Sequence, residues 1–453
     1  MICKNVKNMP SIGMISLGCT KNLVDTEVML GLLAQEGYSI TPNAEEADII
    51  VVNTCSFIEE AKRESIETIL DMCHLKERGT CRNLIVTGCL AQEYGIELFR
   101  EIPEIDAILG SGEFMRIVPV IADLIGSGAH ERIDFLNTPS FLYDHTCPRL
   151  RSTQGHLAYV KISEGCDHCC SYCLIPRLRG RYRQRNAKSV VTEVEALVDE
   201  GVKEVCLIGQ DTTAFKGLPT LLERLASINE APWIRLLYAY PFSLPSDLIR
   251  VMTEYPSILP YLDIPLQHSH PRILSAMNRP TDMGIVEEFI DHARSAITDM
   301  VIRTTLMVGF PGETDEEFDH MLRFVRRIRF DRLGVFSYSR EKGTPAARLP
   351  SQVPRRVKKA RYHEIMRVQA DIAEEKNRAL IGRSFTAVCD YPHPDRHGVM
   401  VGRTRGQAPD IDGVTFIQGG ELSAGEICEV TITRADVYDL EGISEASPGC
   451  PSP

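Results

Sequence analysis

Short β-branched runs alternate with amphipathic segments over most of this chain, and the alternation limits the fold more than any other feature. Near the start, the runs SIGMISLGC, ADIIVVNTC and NLIVTGC predict strands, and apolar residues recur at helical spacing between them. Strands joined by crossover helices pair in parallel. The sequence therefore predicts an α/β fold that opens with a parallel sheet domain, residues 11–125.

The same alternation returns further along the chain and continues for six strand–helix units. Residues 126–151 contain Pro139 and Pro148 and are expected to form a linker. The predicted strands that follow are LAYVKISEG, EVCLIGQD, WIRLLYAYP, LDIPLQ, IRTTLMVGFPG and RLGVFSYS. Six such units predict an incomplete (β/α)6 parallel barrel with its chemistry at the carboxyl ends of the strands. With a connecting helix at 354–382, this domain is expected to span 152–382.

The last part of the chain has a different pattern. Four short strand-like runs, FTAVCDYP, GVMVGRT, GVTFIQGG and EICEVTITRADVYDL, are separated by Gly, Pro and Asp. Such runs predict a small antiparallel β-barrel of OB-like type over residues 383–446. The remaining tail, 447–453, is expected to be disordered.

Composition narrows the class of protein. The 453 residues carry a net charge of −12, which disfavours wrapping of nucleic acid by bulk attraction but leaves a local basic groove open. No apolar run of about eighteen residues is present, and polar residues interrupt the N-terminus, so a cytoplasmic location is expected. Because the cytosol keeps thiols reduced, the 15 cysteines indicate metal binding or catalysis rather than disulfides.

The most specific signal is a CxxxCxxC motif formed by Cys166, Cys170 and Cys173, just after the first strand of the predicted barrel. Three thiolates at this spacing can hold three corners of a [4Fe-4S] cluster and leave the fourth iron open to a ligand. A structural zinc site would require a fourth Cys or His. His168 and Cys169 could supply one locally, so zinc remains an alternative.

A second set of thiols is dispersed along the chain. Cys19, Cys55 and Cys89 each stand at the carboxyl end of a predicted strand of the first sheet. Since the carboxyl ends of parallel strands share one edge, three distant thiols can converge there. The alternative is three unrelated buried cysteines, because free Cys is among the most buried residue types.

At the CxxxCxxC loop the chain resembles the radical S-adenosylmethionine superfamily, whose hallmark is this motif. The resemblance implies that the open iron binds S-adenosylmethionine, whose reductive cleavage gives a 5′-deoxyadenosyl radical. Gly209 and Asp211 end a strand where the superfamily binds the methionyl amino group, although Asp211 could equally be a surface polar residue. The segment from Val308 to Glu313 is expected along the adenosine. Tyr172 could flank the adenine or simply pack. No catalytic residue beyond the cluster ligands is predicted.

From about Ser11 to Ile443 the chain resembles the radical S-adenosylmethionine methylthiotransferases. The resemblance implies an auxiliary [4Fe-4S] cluster on Cys19, Cys55 and Cys89, and a C-terminal TRAM domain that contacts the substrate. One S-adenosylmethionine would methylate a sulfur on that cluster, and a second would supply the radical that abstracts hydrogen from the target carbon. A reductant such as flavodoxin or ferredoxin is implied as a partner.

Within that family the chain is similar to the RimO branch. The resemblance rests on SLGCTKNLVDTE around Cys19, on Cys173 to Arg185 and on Tyr338 to Ala346. Arg177 and Gln184 depart from it, because the branch often carries Ser at those positions. The branch modifies the β-carbon of an aspartate in ribosomal protein S twelve. The alternative is a MiaB-like tRNA methylthiotransferase that acts on a modified adenosine.

The charge of the last domain bears on that choice. Residues 383–446 contain five arginines, no lysine and eleven acidic residues, a net charge of −6. A tRNA-binding module would need basic residues along the phosphates, whereas an acidic domain suits a basic ribosomal protein. The acidity could also serve solubility alone. An alternative from another class is a non-catalytic iron-sulfur electron carrier or RNA-binding module.

Overall fold

A computed structural model describes residues 9–126 and 132–444, so the expected tail at 447–453 lies outside the described residues. The described chain forms two compact units. The first comprises residues up to 152 together with 161–169 and 173–190, and the second comprises 153–160, 170–172 and the residues from 191 onward.

The first unit contains the predicted parallel sheet, in the order β2-β1-β3-β4-β5-β6. Its strands are β1 (Ser11–Ser16), β2 (Ser39–Thr41), β3 (Ile49–Thr54), β4 (Asn83–Gly88), β5 (Ala107–Gly110) and β6 (Ile133–Phe135). Its helices are α1 (Thr20–Gln35), α2 (Glu59–Glu77), α3 (Cys89–Glu101) and α4 (Ile117–Gly126). The central strand β3 is buried along its whole length. Strand β6 lies within the segment expected to be a linker and pairs in parallel with β5.

The second sheet confirms the predicted incomplete barrel. Its six strands run in the order β14-β13-β12-β11-β10-β7 and do not close. The strands of this region are β7 (Leu157–Lys161), β8 (Ser163–Glu164), β9 (Arg183–Gln184), β10 (Glu204–Ile208), β11 (Trp233–Leu236), β12 (Ile258–Asp263), β13 (Val301–Val308) and β14 (Arg332–Ser337). Strand β12 begins four residues before the predicted LDIPLQ run, because it contains Pro260, which lacks a ladder donor.

Helices cover the second sheet and lead to the last domain. They are α6 (Ala187–Asp199), α7 (Leu218–Ala226), α8 (Leu248–Glu254), α9 (Pro271–Ala276), α10 (Met283–Ala296), α11 (Asp315–Ile328) and α12 (Arg355–Arg378), whereas the short helix α5 (Ile175–Leu178) lies in the first unit. Helix α12 is the predicted connector. Within the described ranges, no helix combines the length and the apolar character that crossing a membrane requires.

The C-terminal domain is a closed barrel in the order β15-β16-β17-β19-β18. Its strands are β15 (Ser384–Pro392), β16 (Val399–Thr404), β17 (Thr415–Gln418), β18 (Ile427–Ala435) and β19 (Leu440–Ser444). The prediction of a small barrel is confirmed, with two differences. Five strands are present where four runs were predicted, because the last run ends at Leu440, where β19 begins. In addition, β17 and β19 pair in parallel, whereas the other four pairings are antiparallel.

Buried charges join this barrel to the amino ends of the second sheet. Arg403 of β16 lies 2.5 Å from Glu204, the first residue of β10, and 2.8 Å from Asp390. Arg235 contacts the same Glu204 at 2.7 Å, and His156 contacts Asp390 at 2.9 Å. All five side chains are at least nine-tenths buried. The C-terminal barrel is therefore anchored at the edge opposite the carboxyl ends of the strands.

Two acidic residues of the C-terminal domain complete this junction. The Tyr159 hydroxyl donates to Asp410 at 3.0 Å, and the Tyr261 hydroxyl donates to Asp412 at 2.8 Å. Arg303 of β13 lies 3.8 Å from Asp412. The Asp412 side chain is thus buried inside the protein, whereas Asp410 remains exposed although it accepts a hydrogen bond from Tyr159.

We expect Arg403→Gln to lower the free energy of unfolding by about 3–5 kcal/mol, because it leaves Glu204 buried without one of its two cations. Urea unfolding followed by the fluorescence of Trp233, the single tryptophan, which begins β11, measures this change. The control is Arg396→Gln, since Arg396 forms an exposed pair with Glu441 whose loss should cost less than about 1 kcal/mol. Equal effects of the two substitutions would contradict the anchoring role of the junction.

Candidate functional site

The three dispersed thiols occupy equivalent places in the first unit. Cys19 directly precedes α1, Cys55 directly follows β3, and Cys89 is the first residue of α3 directly after β4. Because β1, β3 and β4 are adjacent and parallel, all three cysteines lie at one edge of the sheet. The structure thus brings together the residues that the sequence placed at three strand ends.

Two glycines show how closely these turns approach one another. A Cβ atom on Gly18, where φ is +86°, would lie 2.5 Å from the Cβ and 2.7 Å from the Sγ of Cys55. A Cβ on Gly88, where φ is +96°, would lie 2.5 Å from the carbonyl oxygen of Thr54. The turns before Cys19 and Cys89 therefore pack directly against the end of β3, which only glycine permits.

A serine on α2 fixes the backbone of the middle cysteine. The Ser65 hydroxyl accepts a hydrogen bond from the Cys55 amide at 3.0 Å and donates to the Cys55 carbonyl at 2.9 Å. The Thr54 hydroxyl donates to the Thr87 carbonyl at 2.6 Å and so ties the ends of β3 and β4 together. These contacts leave Cys55 little freedom to move away from the edge.

The three thiols differ in their electrostatic surroundings. Burial would raise the pKa of the Cys19 thiol, but Lys21 and Arg179 lower it below the ordinary value. Burial, with the nearby Cys89, raises the pKa of Cys55 to about 12. Burial also raises the pKa of Cys89, although Arg179 opposes this shift. A thiolate at one of these cysteines therefore raises the pKa of its neighbours, as expected where several thiolates would lie close together.

A buried ionic group underlies this edge, and sequence reasoning missed it. Lys161 lies 2.5 Å from Asp25 and 2.6 Å from Glu164, and Arg179 lies 2.6 Å from Asp25. All four side chains are buried within the first unit. Asp25 belongs to the SLGCTKNLVDTE segment and Arg179 to the segment after the CxxxCxxC motif, but their spacing of more than 150 residues gives no signal of the contact.

Among the described residues, no three His, Cys, Asp or Glu side chains are close enough to hold a single metal ion. The three thiols at the sheet edge are therefore neighbours and not a set already closed on one ion. A donor set made only of thiols, beside a buried guanidinium, fits an iron-sulfur cluster, because cluster-bound cysteines are thiolates.

The CxxxCxxC loop follows the short strand β8 and ends at α5. The Cys166 amide donates to the Gly180 carbonyl at 3.2 Å, and the Ile175 amide lies 3.4 Å from the Cys173 sulfur. Both belong to the first unit, whereas Cys170 belongs to the second. Cys166 and Cys173 are thus each held by a backbone hydrogen bond within the first unit.

In the second unit, Cys170 has a buried cationic neighbour that the sequence did not reveal. Arg279 donates from Nη1 to the Cys170 sulfur at 3.6 Å and from Nη2 to the Pro265 carbonyl at 2.9 Å. Its guanidinium carbon lies 4.7 Å from the ring centre of Tyr240. Burial would lower the pKa of Arg279, but Tyr172, Cys170 and Tyr240 raise it, so the cation is retained.

The remaining predicted residues lie at the carboxyl ends of the second sheet. Gly209 and Asp211 follow β10, and Val308 ends β13. One oxygen of Asp211 accepts hydrogen bonds from the Thr213 amide at 2.9 Å and hydroxyl at 2.7 Å, so it also shapes its own turn. Tyr172 packs against an apolar cluster of this unit that comprises Ile273, Met277, Phe310, Tyr338 and Ala346.

A buried glutamate holds the VGFPGE segment in place. Glu313 accepts a hydrogen bond from the Gly309 amide at 2.9 Å through one oxygen and lies 2.6 Å from Arg361 of α12 through the other. Gly309 has a φ of +71°, so the turn depends on glycine. His268 also lies here, 3.5 Å from Glu313, and is fully buried.

Family models match three parts of the chain. The Uncharacterized protein family UPF0004 matches residues 11–110, the Radical SAM superfamily matches 160–325, and the TRAM domain matches 381–444. The radical S-adenosylmethionine methyltransferase TsrM from Kitasatospora setae has a similar fold, with a TM-score of 0.54 at 15% identity over 72% of each chain. These matches define a radical S-adenosylmethionine enzyme with two further domains.

Curated relatives define the family more narrowly. The ribosomal protein uS12 methylthiotransferase RimO of Pelobacter propionicus is 47% identical over 95% of this chain and 97% of its own. The RimO of Desulforamulus reducens is 48% identical over 96% of this chain and 99% of its own. The chain belongs to the RimO family of methylthiotransferases. Its cofactors are S-adenosylmethionine and two [4Fe-4S] clusters, as the sequence led us to expect.

The close approach at Gly18 can be tested with a matched pair of glycines. Gly18→Ala and Gly37→Ala should incur a similar backbone strain of about 1–2 kcal/mol, because φ is +86° and +87° at these positions. A Cβ on Gly37 meets no atom within 4 Å, whereas one on Gly18 must displace Cys55.

We expect Gly18→Ala, and not Gly37→Ala, to lose most of the iron bound by a full-length chain in which Cys166, Cys170 and Cys173 are replaced by Ala. Iron analysis after anaerobic reconstitution measures the difference. Equal iron in both variants would show that the turn before Cys19 does not need to approach Cys55.

Proposed function

We propose that this protein attaches a methylthio group to the β-carbon of an aspartate in ribosomal protein uS12. The observation that carries the proposal is the convergence of Cys19, Cys55 and Cys89 at one sheet edge, in a chain whose relatives over nearly their full length are uS12 methylthiotransferases. A radical S-adenosylmethionine enzyme without a second thiol site would have no place from which to deliver sulfur.

We assign the six cysteines to two clusters. Cys19, Cys55 and Cys89 hold the auxiliary cluster, and Cys166, Cys170 and Cys173 hold the cluster that binds S-adenosylmethionine. The bound cofactors supply the methylthio group and the radical that activates the target carbon.

The chain's own residues orient these groups. Arg279 donates to the Cys170 sulfur and keeps a positive charge beside it. Gly209 and Asp211 receive the methionyl amino group, and Val308 and Tyr172 border the adenosine. Glu313 holds the turn that starts at Gly309 through a hydrogen bond of 2.9 Å, and so keeps the end of β13 in place.

The substrate is proposed to meet an acidic edge on the C-terminal barrel, formed by Glu421, Glu426 and Glu429. These three side chains are exposed, whereas the Asp412 side chain is buried and bonded to Tyr261, and Asp410 is exposed but bonded to Tyr159. The barrel is anchored at the amino ends of the second sheet, and a strand such as β12, with six residues, spans about 17–20 Å. A protein substrate must therefore contact the acidic edge at some distance from its modified aspartate.

This acidic edge favours a basic protein over tRNA, because a polyphosphate would be repelled on close approach. A tRNA methylthiotransferase is the second candidate, since its chemistry would be identical. We further propose a cytoplasmic location, where ribosomal proteins are made, and a flavodoxin or ferredoxin as the reductant.

The two cysteine sets should have separable roles. After anaerobic reconstitution the protein should bind about eight irons, and replacement of Cys166, Cys170 and Cys173 by Ala should leave about four. Replacement of Cys19, Cys55 and Cys89 by Ala should abolish methylthio transfer while reductive cleavage of S-adenosylmethionine persists. Loss of cleavage in a folded variant that retains about four irons would refute the assignment.

Charge reversal tests the substrate. The triple variant Glu421→Lys, Glu426→Lys and Glu429→Lys should lower turnover on uS12 severalfold at low salt, and the loss should shrink as salt rises because the contact is electrostatic. The triple control Glu288→Lys, Asp291→Lys and Asp371→Lys changes the charge equally on exposed helical positions elsewhere. Cleavage of S-adenosylmethionine should be unaffected in both.

A competition assay completes this test. Wild-type enzyme offered uS12 and tRNA together should place the methylthio label on the uS12 aspartate, as detected by mass spectrometry. Label on tRNA and none on the protein would replace the proposed function with the tRNA-modifying alternative.

A further inference from the structure

One fully buried side chain touches all three cysteine-bearing turns of the first unit. Asn22 Nδ2 donates to the Leu17 carbonyl at 3.0 Å, just before Gly18 and Cys19, and to the Thr54 carbonyl at 2.8 Å, just before Cys55. Its Oδ1 lies 3.9 Å from the Cys89 sulfur. Asn22 therefore links segments that are more than 30 residues apart in the chain.

Arg179 supports Asn22 and acts on the thiols through its charge. Its Nη2 donates to the Asn22 Oδ1 atom, and its Nη1 donates to Asp25 at 2.6 Å. Its charge also acts on two of the thiols, because it lowers the pKa of Cys89 and of Cys19 against the effect of burial. Arg179 is 3% exposed, so solvent does not weaken these interactions appreciably.

The buried ionic group next to the thiols carries no net charge. Lys161 lies within 2.6 Å of both Asp25 and Glu164, and Arg179 adds a second cation to these two carboxylates. Two cations and two carboxylates are neutral together. Each thiolate that forms at the sheet edge therefore adds negative charge to surroundings in which Arg179 acts electrostatically on all three thiols.

We propose that Asn22 and Arg179 act as a positioning pair for the auxiliary cluster. Asn22 holds the three turns in the arrangement that receives the cluster, and Arg179, bonded to the Asn22 oxygen that faces the Cys89 sulfur, raises the reduction potential of the cluster through its charge. The proposal rests on the cluster assignment made above. The tuning role follows from the general dependence of cluster potentials on nearby charge.

The test uses the full-length chain with Cys166, Cys170 and Cys173 replaced by Ala, so that only the auxiliary cluster is present. In this background Arg179→Met combined with Asp25→Asn removes one charge of each sign, which keeps the buried group balanced. Its reduction potential, measured by redox titration with electron paramagnetic resonance, should shift to more negative values. Arg179→Lys keeps the charge and should shift the potential less.

Asn22→Leu tests the positioning role, since leucine has a similar size and no hydrogen-bonding groups. Iron should be lost to a chelator severalfold faster than from the parent, while the potential of the remaining cluster changes little.

The matched controls for the Arg179 variants are Arg185→Met and Arg185→Lys. Arg185 is 2% exposed in the same unit, and it bonds the Lys161 carbonyl and the Ser189 hydroxyl without contacting a cysteine. The two Arg185 variants should change neither the reduction potential nor the rate of iron loss.

The outcomes separate the two proposals. A parent that binds no iron refutes the cluster assignment itself. An unchanged potential in the folded Arg179→Met, Asp25→Asn variant refutes the tuning role. If that variant does not fold, the potential of Arg179→Lys is compared with that of Arg185→Lys, and equal potentials refute the tuning role. Equal rates of iron loss from the parent and from Asn22→Leu refute the positioning role.

Discussion

Gly18 and Gly88 leave no room for a side chain where the turns before Cys19 and Cys89 meet the end of β3. A parallel sheet supplies the shared edge, but adjacent strand ends alone would not pack the cysteine-bearing turns against one another. The positive φ angles at both glycines let the backbone fold onto Cys55 and Thr54. Every later feature of this edge, including the hydrogen bonds of Asn22 and the approach of Arg179, depends on that close packing.

Buried charge serves different ends in the two units. In the first unit, Lys161, Arg179 and their carboxylates form a buried group near the thiols, and the charge of Arg179 lowers the pKa of the Cys89 thiol against the effect of burial. In the second, Arg403 and Glu204 lie at the amino ends of the strands and connect the C-terminal barrel to the sheet. In barrels of this kind chemistry concentrates at the carboxyl ends of the strands and the opposite face contributes stability. The junction follows this division, since it shares no residue with the proposed cofactor site.

The sequence was sufficient where the signal was local or periodic. The parallel sheets, the small barrel and the positions of the cysteines at strand ends follow from alternation and spacing. Strands β2 and β6 have three residues each, too few for a periodic pattern, and β12 was misplaced because Pro260 interrupts its strand signal. Contacts between distant polar residues, such as Arg179 with Asp25, leave no trace in spacing. The roles of Asp410 and Asp412 were hidden for the same reason, because nothing in their local sequence indicates a tyrosine partner.

The segment SLGCTKNLVDTE, on which the similarity to one branch of the family largely rests, lies mostly inside the protein. Asn22 and Glu27 have no exposed surface, and Asp25 is 4% exposed. Glu27 is held by Arg149 at 2.8 Å, just as Asp25 is held by Lys161 and Arg179. A substrate cannot touch these side chains, so the similarity in this segment reflects the surroundings of the N-terminal thiols and not contact with the substrate. The choice between a protein and an RNA substrate has to be made by side chains that reach the surface, such as Phe57, which is 54% exposed only two residues beyond Cys55.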